Sequence, residues 1–357
     1  AREAATLARQ VIEARLGRPR LVRETSRQRF GFGNLFAKKL APSEILKHFE
    51  GVVLAAPLIE RVQQLAVSTR NARRNRVPFR HLLLYGPPGT GKTMVAQRLA
   101  KASGMDYALM SGGDVGPLGK DAVTELHSLF RWAAGSSKGL LLFIDEAEAF
   151  LGSRSKTAMS EELRNALNAL LYQTGTQSYS FMMVLATNRA EDLDSAVIDR
   201  MDESLLFPLP TIDLRQRLTS IYFGAYVTNH TDEAREEALM KFNAVLRVLK
   251  KLFISVSAPI KLSAASKKAI PKHLNEVAEL VDGFSGREIS KLMIAVQSAA
   301  YGSEANELKP AMLLAVTKLK VEEHRRKVQM VMGLHMSPRR EASPRVRKAD
   351  GDGGGGG

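Results

Sequence analysis

Eight consecutive residues carry the most specific chemistry in this chain: Gly86-Pro87-Pro88-Gly89-Thr90-Gly91-Lys92-Thr93. They fit G-x-x-x-x-G-K-[ST], in which glycines let the backbone close around phosphates so that N–H groups and a helix N-terminus face them. Lys92 would reach the β and γ phosphates, and the Thr93 hydroxyl would hold Mg²⁺. The loop follows the apolar run His81 to Tyr85 and leads into a helical pattern from Met94 to Ala102. That strand–loop–helix context argues against a chance glycine loop. A second signal is Leu140-Leu141-Leu142-Phe143-Ile144-Asp145-Glu146, an apolar strand that delivers two carboxylates at its C-terminal end, where open α/β sheets bind ligands. Asp145 is expected to hold Mg²⁺ and Glu146 to polarise an attacking water. Two adjacent acids could also merely begin a helix, but the phosphate loop upstream favours chemistry. The next strand closes on Ala186-Thr187-Asn188, where Asn188 could orient water against a γ-phosphate or simply cap a turn.

These groups need a scaffold, and the pattern between His81 and Pro210 supplies one. Short apolar runs at His81 to Tyr85, Asp106 to Met110, Gly139 to Ile144, Phe181 to Thr187 and Ser204 to Phe207 are bounded by Gly, Pro or Asp. Helical stretches separate the first four. This alternation predicts an α/β fold, a mostly parallel sheet with helices on both faces. Strand signals stop after Pro210, and residues 212 to 330 read as helices interrupted near Ser255 to Pro271, which predicts a C-terminal helical lid. The expected organisation is an N-terminal amphipathic helix and basic linker over 1–48, the nucleotide domain over 49–210, the lid over 211–332 and a disordered tail over 333–357. Within the first part the helix ends near Gly17 and Pro19, and Arg18 to Lys39 reads as linker. A further helix is expected from Pro57 to about Ala72. The lid carries a basic insertion at about 227–272.

Composition bounds the partners. Fifty-two Lys and Arg against 37 Asp and Glu give a net charge of +15, which draws the chain toward anions such as nucleotide phosphates, nucleic acid or lipid. Arg70 to Arg80 holds five Arg and no acid, and Leu239 to His273 holds eight Lys or Arg and no acid around an apolar stretch. With no Cys, disulfides, thiolate metal sites and Cys nucleophiles are excluded. No apolar run approaches the roughly 18 to 20 residues that cross a bilayer. The chain opens at Ala1 without an initiator Met, as expected of a fragment, in which case any targeting or anchoring sequence would lie upstream.

Taken together these motifs resemble the AAA ATPase family of P-loop NTPases, from about Phe49 to Glu323. The resemblance implies ATP and Mg²⁺ as cofactors, ATP hydrolysis between subunits, and a homo-oligomeric, hexameric ring. Asp192-Leu193-Asp194-Ser195-Ala196-Val197-Ile198-Asp199-Arg200 is similar to the arginine-finger segment, which makes Arg200 the candidate finger on a neighbour's ATP. Asp199 stands where many members carry a second finger. Gly283-Phe284-Ser285-Gly286-Arg287-Glu288-Ile289 is similar to the lid motif that opens the sensor-2 helix. The similarity implies that Arg287 reaches the γ-phosphate in cis; a solvent-facing arginine at a helix start is the competing assignment. Threading members carry an aromatic, an apolar residue and Gly in their pore loop, whereas this chain has Pro117-Leu118-Gly119.

Longer segments, among them Ile12-Glu13-Ala14-Arg15-Leu16-Gly17-Arg18-Pro19, Gly112-Gly113-Asp114-Val115 and Ser285-Gly286-Arg287-Glu288-Ile289, resemble the ATPase family AAA domain-containing protein 3 group. That likeness runs over about residues 8 to 330, with a lid stretch more like plant or protist versions. It implies a mitochondrial inner-membrane location with the ATPase domain in the matrix, and association with inner-membrane proteins, anionic lipid and nucleoid DNA. The alternatives carried forward are a nucleotide-gated scaffold with slow hydrolysis and a nucleic-acid-associated P-loop ATPase.

Overall fold

The computed structural model describes residues 19–26, 42–153, 159–231 and 259–331. The expected N-terminal helix, most of the basic linker, the centre of the lid insertion and the expected disordered tail lie outside the described residues.

A six-stranded sheet organises the first half, in the order β1 (Glu24–Thr25), β3 (Asp106–Ser111), β4 (Leu140–Asp145), β5 (Phe181–Thr187), β2 (Leu82–Tyr85), β6 (Glu203–Leu206). Every pairing is parallel except that of β1 with β3. Side chains alternate between faces as the period of a strand requires. Leu82, Leu84, Leu141, Phe143, Met182 and Val184 pack on one side, against α2 (Ala56–Asn75) and α3 (Lys92–Ser103). Leu83, Leu142, Ile144, Met183 and Leu185 pack on the other, against α4 (Ala122–Ala134) and α6 (Glu161–Gln173). The central β4 and β5 are buried on both faces, hence their unbroken apolar runs. Phe143 is fully buried, so truncating it would cost about 3–5 kcal/mol. The expected strands all form, with ends shifted by a residue.

Two sequence expectations change. Residues within the stretch expected to be linker include β1, whose neighbours Leu21 and Val22 are 1% and 2% exposed in the core. Arg23 N–H donates to the Leu109 carbonyl at 2.8 Å and its guanidinium pairs with Asp114 at 2.5 Å. A two-residue strand is too short to show periodicity, which is why only its packing reveals it. The expected break at Pro271 is also absent: α9 (Ala264–Leu280) runs through it. Ser263 caps its start, and Ile270, Val277 and Ala278 are buried, which outweighs the roughly 3 kcal/mol that an interior Pro costs.

A separate core in the second half joins α8 (Ile212–Tyr226), α9, α10 (Gly286–Tyr301) and α11 (Pro310–Val331) around Phe223, Val277, Ile289, Val296 and Leu313. Arg215 is buried at the junction with the sheet, donating to the carbonyls of Pro210 at 3.2 Å and Ala278 at 2.9 Å and pairing with Asp282 at 2.7 Å. Of the basic run, Arg70 is buried, Arg73 donates to the Gly104 carbonyl, and Arg80 pairs with Glu203 at 3.6 Å. No helix among the described residues is long and apolar enough to cross a membrane.

His81, at the entry to β2, is buried with its Nδ1 accepting from the Met183 N–H at 3.0 Å and its ring stacked on Phe181. Burial pushes its pKa below the ordinary 6.5, with Asp202 partly opposing. The unfolded chain therefore takes up a proton below about pH 6.5 that native His81 refuses, and stability falls with falling pH by up to about 1.4 kcal/mol per unit. His81→Asn retains an acceptor without titrating. Its urea midpoint should depend less on pH than that of the parent between about pH 7.5 and about 5.5; identical slopes would refute the role of His81.

Candidate functional site

The phosphate loop joins β2 to α3, and its glycines answer identifiable constraints. Gly86 sits at φ +134°, and a Cβ there would lie 2.4 Å from the Phe207 carbonyl oxygen. Gly89, at φ +77°, touches the lid: a Cβ there would lie 2.8 Å from both Ser285 Oγ and Arg287 Cβ. Gly91 precedes α3 at φ +102° with no side-chain cap, so the first N–H groups of a 12-residue helix are left for a ligand.

Lys92 is buried, 7% exposed, and its Nζ donates to the carbonyls of Gly86 at 2.7 Å and Pro87 at 2.9 Å and to Asn188 Oδ1 at 2.9 Å. Burial lowers its pKa, with Asp145 and Glu148 opposing and Arg287 assisting. The ammonium is therefore held among neutral acceptors that phosphate oxygens would better. Thr93 Oγ1 donates to Asp145 Oδ2 at 3.2 Å. A hydroxyl and a carboxylate this close are hard oxygen donors able to share one Mg²⁺, whose remaining positions suit water and phosphate. The residues present thus fit the ion.

Glu146 stands at the end of β4 in the left-handed conformation, φ +51°, a rare state for a residue other than glycine and one that concentrates at functional sites. Gly112 makes room for it, since a Cβ there would lie 2.5 Å from the Glu146 carbonyl oxygen. Ser111 Oγ donates to Glu146 Oε2 at 3.2 Å, a restraint from the end of β3 that sequence reasoning missed because a lone Ser has no signature. The register Ser111↔Asp145 and Tyr85↔Thr187 brings the ends of these strands level.

The loop, Asp145, Glu146, Asn188 and Arg287 line one cavity of about 650 Å³. Its apolar lining comes from Val53, Leu54 and Leu58 before and within α2 and from Leu218, Ile221 and Tyr222 of α8. Charged and apolar lining in one cavity suits a nucleotide, with the phosphates on the charged groups and the base on the apolar ones. The apolar lining was not legible in sequence, since such residues are indistinguishable from core. Arg287 donates its backbone N–H to the Gly89 carbonyl at 3.2 Å. Arg200 lies outside the cavity lining and donates to its own chain's Ala196 and Leu171 carbonyls at 2.6 and 3.2 Å. Leu118 packs against the sheet core rather than standing free.

The sequence is similar to those of known proteins. The family model "ATPase family associated with various cellular activities (AAA)" matches residues 82–209, and "Magnesium chelatase, subunit ChlI" matches residues 59–104. The chain is 43% identical over 332 residues to "ATPase family AAA domain-containing protein 3" of Xenopus tropicalis, covering 92% of this chain and 52% of that protein. It is 42% identical over 334 residues to "ATPase family AAA domain-containing protein 3A" of Homo sapiens, with the same shares, 92% and 52%. It is 40% identical over 333 residues to "ATPase family AAA domain-containing protein 3" of Caenorhabditis elegans, covering 89% and 50%. The chain spans about half the length of these relatives. With phosphate loop, paired acids and lid all in place, the chain carries the domain of the AAA ATPase family over residues 82–209 and is similar, over most of its length, to the ATPase family AAA domain-containing protein 3 group.

Proposed function

We propose that this AAA-type ATPase hydrolyses ATP with Mg²⁺ as a homo-oligomeric, hexameric ring, and that it serves mitochondrial inner-membrane or nucleoid organisation. The observation that carries the enzymatic part is the convergence of Lys92, Thr93, Asp145, Glu146 and Asn188 on the phosphate end of one cavity. Lys92 exchanges its carbonyl partners for β and γ phosphate oxygens, while Thr93 and Asp145 would hold Mg²⁺, which would supply charge neutralisation when bound. Glu146, released from Ser111, polarises a water that Asn188 orients; Arg287 meets the γ-phosphate in cis. Arg200 completes a neighbour's site, which suits its place outside the cavity of its own chain. The membrane and nucleoid setting, with the domain on the matrix side, rests on likeness to the named relatives, and anionic lipid and nucleoid DNA are the partners proposed for the basic insertion.

A second reading is a scaffold that binds ATP to assemble and hydrolyses it slowly. It is favoured by Pro117-Leu118-Gly119, which lacks the pore-loop aromatic and whose Leu118 packs partly against the core, and by Asp199 in place of a second finger. Steady-state turnover of the assembled protein, with and without added protein, lipid or DNA, separates the two.

Lys92→Ala should abolish nucleotide binding, whereas Glu146→Gln should bind normally and lose hydrolysis by a factor on the order of 10² or more. Equilibrium binding alongside phosphate release measures both, and normal turnover by Glu146→Gln would sink its assignment. Arg200→Ala should lose hydrolysis by on the order of 10³. Mixed with Glu146→Gln subunits it should recover some activity at shared interfaces; no recovery in confirmed mixed assemblies would place Arg200 in cis. For the basic insertion, changing Lys250, Lys251, Lys267 and Lys268 to Gln should weaken salt-sensitive binding to anionic vesicles or duplex DNA, since each basic residue near an anionic bilayer contributes about 1 kcal/mol. Unchanged binding to both would remove the insertion from consideration.

A further inference from the structure

We propose that His324, on α11 and outside the cavity lining, is a positioning residue for the nucleotide: it fixes Glu288, Glu288 fixes Ser285, and Ser285 seats Arg287 against Gly89 of the phosphate loop. The inference rests on the ATP-site assignment above and adds to it a link from the last described helix.

The chain of contacts is continuous. His324 Nδ1 lies 2.8 Å from Glu288 Oε1, with the side chains 20% and 38% exposed. Glu288 Oε2 accepts from both the backbone N–H and the Oγ–H of Ser285, each at 2.8 Å. Burial pushes the Glu288 carboxyl up, but the donors from Ser285 and His324 outweigh it and hold the group below the usual carboxylate range. An ionised carboxylate only accepts, so Nδ1 is the nitrogen that carries the proton. Ser285 is itself buried, 4% exposed, immediately before α10. Its Oγ occupies the space beside Gly89, and the next helical residues hold the loop from the same side, Arg287 N–H to the Gly89 carbonyl at 3.2 Å. The His324 ring is further fixed by Phe284, centroid to centroid 4.6 Å.

A capping Glu at the third helical position ordinarily satisfies its own helix and needs nothing else. Here its second oxygen is engaged by another helix. One carboxylate therefore couples α11 to the residue that the proposed function assigns to the γ-phosphate, and a small displacement of α10 at this point would move Arg287 relative to the loop. Charge-assisted hydrogen bonds are the strongest of the neutral-pH menu, so their loss should be felt at the far end of the chain.

Fluorescent ATP and ADP analogues, titrated onto the full chain, test this. His324→Phe keeps an aromatic face for Phe284 but loses the Nδ1–H, and should weaken ATP binding by up to about tenfold, the scale of one charge-assisted hydrogen bond, with ADP affected little. His324→Asn places an amide N–H where Nδ1–H was and should recover part of the loss. Glu288→Gln, a second route to the same break, should show the same ATP-selective effect. Combined with Arg287→Ala, His324→Phe should add nothing further. Equal loss for ATP and ADP, or a loss that adds to that of Arg287→Ala, would make His324 a purely structural residue and overturn the inference. If Arg287→Ala itself fails to discriminate ATP from ADP, the assignment of Arg287 falls and this inference with it; an effect at Arg287 without one at His324 overturns the inference alone.

Discussion

The parallel register of β3, β4, β5 and β2 sets the height at which each strand releases its polar residue, and every group at the phosphate end hangs from it. Tyr85 stands opposite Thr187, Ile144 opposite Leu185 and Ser111 opposite Asp145, so the phosphate loop, the two acids, Asn188 and Ser111 all emerge at one edge. A slip of one residue would turn each strand's apolar set from one face to the other. Because β4 and β5 are apolar and buried on both faces, their register is held by the fit of their side chains against the helical layers on either side, the same packing that stabilises the domain. Site geometry and core stability are thus one property of this sheet.

Among the described residues, two attachments of the lid to that sheet differ in kind. Arg215 joins the Pro210 carbonyl to Ala278 and Asp282, a buried cation whose donors bridge the connection between the two halves. Gly89 meets Ser285 and Arg287 by bare backbone proximity, which only glycine allows.

Sequence patterns disclosed the parts with strong local signatures. The phosphate loop and the paired acids were legible because the chemistry restricts residue type and spacing together, and the central strands because burial on two faces produces unbroken apolar runs. What escaped depends on contacts distant in sequence. β1 is two residues long and is defined by its pairing with β3. Ser111 acquires meaning only beside Glu146, and Leu54, Leu58 and Tyr222 only as walls of a cavity. Pro271 misled because local propensity was outvoted by the burial of Ile270, Val277 and Ala278. Residues 232–258, with much of the basic insertion, remain a matter of composition alone.

The three neutral acceptors around Lys92 have a consequence for the nucleotide cycle as a whole. A buried ammonium without partners would make the empty site costly and would bind product as a remedy. Under the proposed function a phosphate oxygen would take the place of one of these oxygens, so Lys92 would keep its hydrogen bonds while gaining an acceptor of higher charge. Affinity would then come from that gain in acceptor charge, which is larger for a triphosphate than for a diphosphate.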